Sequence, residues 1–119
     1  MKAAVVGSRH YDNYKEVKRV LDTYPNIEMI ISGGAKGVDS LADKYAREHG
    51  ITFMMFPAEW DKYGKAAGPI RNEQIVNEAD MVIAFLAPDS RGTKSTINIA
   101  FKAGKKVEIY LIGENGKLE

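Results

Sequence analysis

The sequence predicts a single doubly wound α/β domain over residues 1–119. A chain of 119 residues suits one domain. Short apolar runs alternate along it with segments of helical periodicity, and glycine-containing loops separate the two. Because strands that alternate with helices join through right-handed crossovers, the sheet should be mostly parallel. We expect five strands in the order 3-2-1-4-5, with helices on both faces of the sheet.

Five apolar runs mark the strands. Gly7 stops the first run, and the fourth run is the most continuous, which favours an interior position in the sheet. The expected strand limits are residues 3–6, 27–31, 51–56, 81–87 and 107–112. Residues 114–119 follow the last strand and are expected to form a frayed tail.

Four helices are expected between these strands. The first begins at Asn13, which forms a capping pair with Glu16, and the second ends at Gly50. The third has Pro69 in its first turn and ends near residue 79, and the fourth ends at Gly104. The residues of the fourth helix that are expected to face inward are Ile97, Ala100 and Phe101.

Residues 57–68 form the longest irregular stretch of the chain. Trp60 and Tyr63 lie within it, and two roles are open for them. Their rings either pack the loop onto the domain or stack on a base from a mobile lid.

Composition excludes several classes of function. The net charge of +1 gives no bulk attraction to nucleic acid or membranes, so neither is an expected partner. Cysteine is absent and the two histidines lie far apart, so no metal-ligand pattern is present. No apolar run reaches membrane-spanning length and a strand begins just after Met1, so a cytoplasmic location is expected. The oligomeric state, including a homo-oligomer, stays open.

The predicted strand order creates a crevice between strands one and four, beyond the carboxyl ends of the strands. Ligands of open α/β sheets bind at such a point. The loops Gly7–Arg9 and 89–93 flank this crevice, and the loop 32–39 lies beside the first of them. The candidate site is therefore expected where these three loops converge.

The segment Ser32–Asp39 is the most informative of these loops. Three glycines in five positions let a ligand approach the backbone closely, and the following helix offers free N–H groups to an anion. The alternative is a tight turn that binds nothing. The segment Ser90–Thr96 offers hydroxyl groups and Gly92 at a helix start, and its alternative is a helix cap by Thr93 or Ser95.

Cations gather at these loops although a helix N-terminus disfavours them. Lys36, Arg71 and Lys94 lie in or just before expected first turns, and Arg9 and Arg91 lie in adjoining loops. A bound phosphate or carboxylate would compensate for this arrangement, with arginine as the better bidentate partner.

Asp39 also lies in a first turn, and two roles are open for it. Its carboxylate either complements the helix dipole or accepts hydrogen bonds from ribose hydroxyls. The common nucleotide motifs are absent: no Gly-x-Gly-x-x-Gly follows the first strand, and no P-loop or nucleophile elbow occurs. We expect that no cofactor is required, and a nucleotide or ADP-ribose-like ligand stays open.

The sequence resembles the SLOG superfamily in four segments, which are Gly7–Arg9, Ser32–Asp39, Gly68–Asn72 and Ser90–Thr93. The resemblance is strongest to the small YspA-like, cpYpsA-related branch. The superfamily also includes DNA-processing protein A and the LOG-type nucleotide phosphoribohydrolases. The resemblance implies a Rossmann-like fold and a ligand derived from a nucleotide.

Departures from these relatives restrict what the resemblance implies. Gly92 and Thr93 align with the Gly-Thr of the hydrolases, but Thr96 stands where their catalytic glutamate would be. Arg71 matches their arginine, so half of the catalytic pair is present. Glu73 replaces the second arginine of the Arg-Asn-Arg segment in DNA-processing protein A, and single-strand binding needs a broader basic surface than this chain has.

The expected function is a binding or sensor module for a phosphate-bearing, nucleotide-derived small molecule, without strong catalysis. The alternative is a phosphoribohydrolase that cleaves the N-glycosidic bond of nucleoside monophosphates, with Asp39 or another carboxylate replacing the missing glutamate. The base and the number of phosphates stay open. The expected ligand-binding residues are Gly7, Ser8, Arg9, Ser32, Gly33, Gly34, Ala35, Lys36, Gly37, Asp39, Arg71, Asn72, Ser90, Gly92, Thr93 and Ser95.

Overall fold

A computed structural model describes residues 1–119 as a five-stranded sheet in the order β3-β2-β1-β4-β5. Each neighbouring pair of strands is parallel. The predicted strand order is confirmed, and each strand lies within two residues of its expected limits. The strands are β1 (Lys2–Gly7), β2 (Met29–Ser32), β3 (Thr52–Met55), β4 (Met81–Leu86) and β5 (Lys106–Leu111).

Five α-helices connect the strands, one more than expected. The extra helix is a single turn within residues 57–68, followed there by a 3-10 turn at Gly64–Ala66. This stretch has helical backbone without an apolar face, since no residue of either turn is buried, and periodicity therefore does not reveal it. The helices are α1 (Tyr14–Leu21), α2 (Val38–His49), α3 (Trp60–Tyr63), α4 (Ala67–Glu78) and α5 (Arg91–Lys102).

Two cores lie on opposite faces of the sheet because successive side chains of a strand point in opposite directions. Ala3 and Val5 of β1 join the core beneath α1 and α2. Ala4 and Val6 join the second core, beneath α4 and α5. The layers are thus helix, sheet and helix, as expected for a doubly wound domain. No helix combines the length and the apolar character that crossing a membrane requires.

The expectation that Phe101 faces inward is wrong. Ala100 is fully buried beneath α5, whereas Phe101 is 58% exposed. One residue further along a helix the side chain is rotated by about 100°, which carries the Phe101 ring off the sheet.

The expected frayed tail is also wrong. The chain folds back after β5, so that Gly113 N donates to Lys117 O and Glu119 N donates to Leu111 O. Gly116 O accepts hydrogen bonds from Tyr11 Oη at 2.7 Å and Asn13 Nδ2 at 3.1 Å. These bonds supply partners for backbone groups at the exposed edge of β5 and tie the tail to the start of α1.

Candidate functional site

A cleft of about 640 Å³ opens at the carboxyl ends of the strands. The loops after β1, β2, β3 and β4 form its walls together with the middle of α4 and the start of α5. Twelve of the sixteen expected ligand-binding residues line it: Gly7, Ser8, Arg9, Gly33, Gly34, Ala35, Asp39, Arg71, Asn72, Ser90, Gly92 and Thr93. The three loops that were expected to converge therefore meet around one cavity.

Buried polarity is confined to this edge of the sheet. The chain buries seven polar or charged side chains, which are Ser8, Ser32, Asp39, Asn72, Ser90, Thr93 and Thr96. All except Ser32 line the cleft. Burial of polar groups is costly unless they find partners, so their concentration at one cavity is more informative than any exposed charge.

The glycine-rich loop is held in shape by the carboxylate of Asp39. Its Oδ2 accepts hydrogen bonds from Gly33 N at 3.2 Å and from Ala35 N at 3.1 Å. The helix dipole and a ribose were the two roles left open for Asp39, and the structure adds a third, since the carboxylate organises the loop that precedes its own helix. Two of the amides expected to meet a phosphate are consequently occupied.

The environment of Asp39 disfavours its charge. Burial raises the pKa of the Asp39 carboxyl above its ordinary value, although hydrogen bonds from Ala35 and Ser32 and the positive charge of Arg71 act in the opposite direction. The hydrogen bonds to the Asp39 carboxylate therefore offset only part of the free-energy cost of burying its charge.

Arg71 connects α4 to the glycine-rich loop. Its Nη1 donates to Gly33 O at 3.3 Å, and its Nε donates to Asn72 Oδ1 at 3.0 Å. The expectation that Arg71 lies in a first turn is wrong, because α4 already begins at Ala67. Arg71 lines the cleft and forms no ion pair with a carboxylate, unlike Arg19 and Arg47.

Four expected residues lie outside the cleft lining, and three of them support the loops around it. Ser32 Oγ accepts from Gly34 N at 3.4 Å, and Ser95 Oγ accepts from Asn72 Nδ2 at 3.3 Å. Gly37 packs directly on the backbone of Ser8 and Arg9, where a Cβ atom would overlap the Ser8 carbonyl oxygen. Lys36 is exposed, and its side chain makes no hydrogen bond or ion pair.

The start of α5 presents three donors without a partner. Gly92 N and Thr93 N have no acceptor, whereas the amides on either side of them do: Arg91 N donates to Asp89 O, and Lys94 N donates to Ser90 O. Thr93 is only 6% exposed, but its hydroxyl is not fully buried, and it makes no hydrogen bond within the protein. Neither Thr93 nor Ser95 caps the helix; Ser90 is the N-cap residue, and its Oγ accepts instead from Ala87 N at 3.1 Å.

The arginines divide into two groups. Away from the cleft, Arg19 pairs with Glu16 at 2.8 Å and Arg47 pairs with Asp43 at 3.4 Å. The three arginines that line the cleft have no carboxylate partner; these are Arg9, Arg71 and Arg91. Positive charge is therefore available at the cavity for an anion from outside the protein.

Several lining residues were not among the expected set. Asp89, Arg91 and Thr96 lie in segments that the sequence did single out, whereas His10, Pro57 and Ala58 do not stand out by type. The loop after β3 could have been included, because the carboxyl ends of parallel strands share one edge and Trp60 follows that strand. No group of three or more potential metal-ligating side chains comes together.

Comparison with known proteins agrees with this architecture. A family model described as "YspA, cpYpsA-related SLOG family" matches residues 1–63, which include the loops after β1 and β2. Among solved structures, the X-ray structure of DNA processing protein A from Streptococcus pneumoniae is similar, with a TM-score of 0.60 and 22% sequence identity. That match covers 90% of this chain and 58% of the other, and the likeness concerns the fold alone. Among curated proteins no relative matches the chain.

Proposed function

The chain belongs to the YspA, cpYpsA-related SLOG family, and from that premise we propose that its cleft binds a phosphate-bearing, nucleotide-derived small molecule. In this proposal the protein is a binding or sensor module. The observation that carries it is the start of α5, where Gly92 N, Thr93 N and the Thr93 hydroxyl all lack a partner within the protein. Donors at a helix N-terminus, with the positive end of the helix dipole behind them, suit a phosphate group.

The surrounding charges support an anionic ligand. Arg9, Arg71 and Arg91 line the cleft without carboxylate partners, whereas the arginines elsewhere are paired. A phosphate between these guanidinium groups would make charge-assisted hydrogen bonds, which are about twice as strong as neutral ones. Because the net charge is only +1, the protein as a whole attracts anions weakly, and anion binding should be local to the cleft. The same low charge gives no support for binding nucleic acid along a surface.

The hydrolase alternative has less support. N-glycosidic hydrolysis by acid–base catalysis requires a carboxylate placed at the reacting bond. Thr96 occupies the position of the hydrolase glutamate, and its hydroxyl donates to Gly92 O at 3.1 Å. The carboxylates that line the cleft are Asp39, which is engaged by two loop amides, and Asp89, which is exposed.

Isothermal titration calorimetry with adenosine 5′-monophosphate and adenosine tests the proposal. We expect saturable binding of the monophosphate and much weaker binding of adenosine, because only the former has the anion that the α5 donors and the arginines can hold. ADP-ribose extends the test to a ligand with two phosphates. Equal binding of adenosine and its monophosphate, or no binding of any of the three, would contradict the proposal.

A further inference from the structure

We infer that Trp60 is the stacking surface for the base of the bound molecule, so that the cleft selects nucleotides over sugar phosphates. This inference rests on the proposed function and adds a second subsite to it. The phosphate would be held at the start of α5, and the base would lie on the indole of Trp60, which also lines the cleft.

The exposure of Trp60 is the first support for this role. It is the only tryptophan of the chain, and it is 59% exposed while it lines the cleft. The indole lies beside Gly68, with Cη2 at 3.6 Å from the position of a Cβ atom there. The ring has no aromatic or cationic partner, so its face is available to a planar ligand.

The position of Trp60 in the fold is the second support. The loop that carries it follows β3, whereas α5 follows β4, and β2 and β1 lie between these strands. Three strand spacings, from β3 to β4, correspond to about 14 Å. The strands that lead to the Trp60 loop and to α5 are thus separated by more than a phosphate ion alone can cover, which suits a ligand with a base at one end.

Tyr63 provides a matched comparison within the same helical turn. It is 37% exposed, it lies outside the cleft lining, and Lys62 Nζ lies 5.0 Å from the centre of its ring. Tyr63→Ala removes an aromatic ring from α3 without removing one from the cleft.

The test compares the affinities of adenosine 5′-monophosphate and ribose 5-phosphate for the parent protein and for Trp60→Ala, Trp60→Phe and Tyr63→Ala, all by calorimetry. Base–aromatic stacking predicts that Trp60→Ala weakens binding of the monophosphate about 5- to 150-fold. Binding of ribose 5-phosphate should be unchanged in that variant. Trp60→Phe should retain most of the affinity for the monophosphate, and Tyr63→Ala should retain all of it.

The outcomes distinguish a failure of the stacking role from a failure of the phosphate site. If Trp60→Ala weakens both ligands equally, or weakens neither while the parent binds both, the stacking role is overturned and the phosphate site stands. If the folded parent protein binds neither ligand, the proposed function fails and the stacking role fails with it. Melting curves of the variants show whether each one is folded.

Discussion

Gly37→Ala is expected to lower the free energy of unfolding by about 2–6 kcal/mol. Gly37 has φ of 74° and ψ of −131°, a backbone conformation that is essentially restricted to glycine. A Cβ atom would also overlap the Ser8 carbonyl oxygen and the backbone of Arg9. Strain and overlap therefore add, and together they approach the total stability of a small domain. Urea unfolding of the variant and the parent protein measures this difference.

Gly50→Ala is the matched control for this substitution. Gly50 also has a positive φ, of 65°, but no other atom lies within 4 Å of the position of its Cβ. Only the cost of the left-handed conformation remains, about 1–2 kcal/mol. If Gly37→Ala destabilises the protein no more than Gly50→Ala, Gly37 does not pack closely on the backbone of Ser8 and Arg9.

Arg71→Ala is expected to weaken binding of adenosine 5′-monophosphate roughly 10- to 150-fold, corresponding to about 1.5–3 kcal/mol for a lost charged hydrogen bond. The unliganded protein should also lose about 1–2 kcal/mol of stability, since Arg71 donates to Gly33 O and Asn72 Oδ1. Calorimetric titration gives the affinity, and urea unfolding without ligand gives the stability.

Arg19→Ala removes the same charge at a distance from the cleft, where Arg19 pairs with Glu16. Its affinity for the monophosphate should equal that of the parent protein. Arg71→Lys keeps the charge at the cleft but loses the planar fork of donors, so we expect an affinity between those of Arg71→Ala and the parent. If Arg71→Ala binds the monophosphate as tightly as the parent, Arg71 acts only on the structure of the loop.

The fold was predictable because its signals are local. Apolar runs of four to seven residues and helical periodicity can be read from neighbouring positions, and the rules for crossovers then restrict the strand order. The position of the cleft followed from that order, since a doubly wound sheet has one switch point. The confirmed sheet order β3-β2-β1-β4-β5 could therefore be predicted from the sequence pattern together with the crossover rules.

The contacts around the cleft were not predictable because they depend on tertiary packing. The sequence shows Asp39 in a first turn, but only the folded loop reveals that its carboxylate accepts from Gly33 N and Ala35 N. Arg71 was placed in a first turn because Pro69 suggested a later start for α4 than Ala67. The folded-back tail likewise depends on Tyr11 and Asn13, which lie more than 100 residues before Gly116.

The amide resonances of Gly92 and Thr93 in ¹⁵N-labelled protein test the central claim most directly, namely that a nucleotide phosphate binds at the start of α5. Both amides lack a partner in the protein, whereas the amides of Gly33 and Ala35 already donate to Asp39. On addition of adenosine 5′-monophosphate, the Gly92 and Thr93 amide protons should show the largest downfield shifts as they begin to donate to phosphate oxygens. Saturating shifts at Gly33 and Ala35 with Gly92 and Thr93 unmoved, or no shifts around the cleft, would contradict the claim.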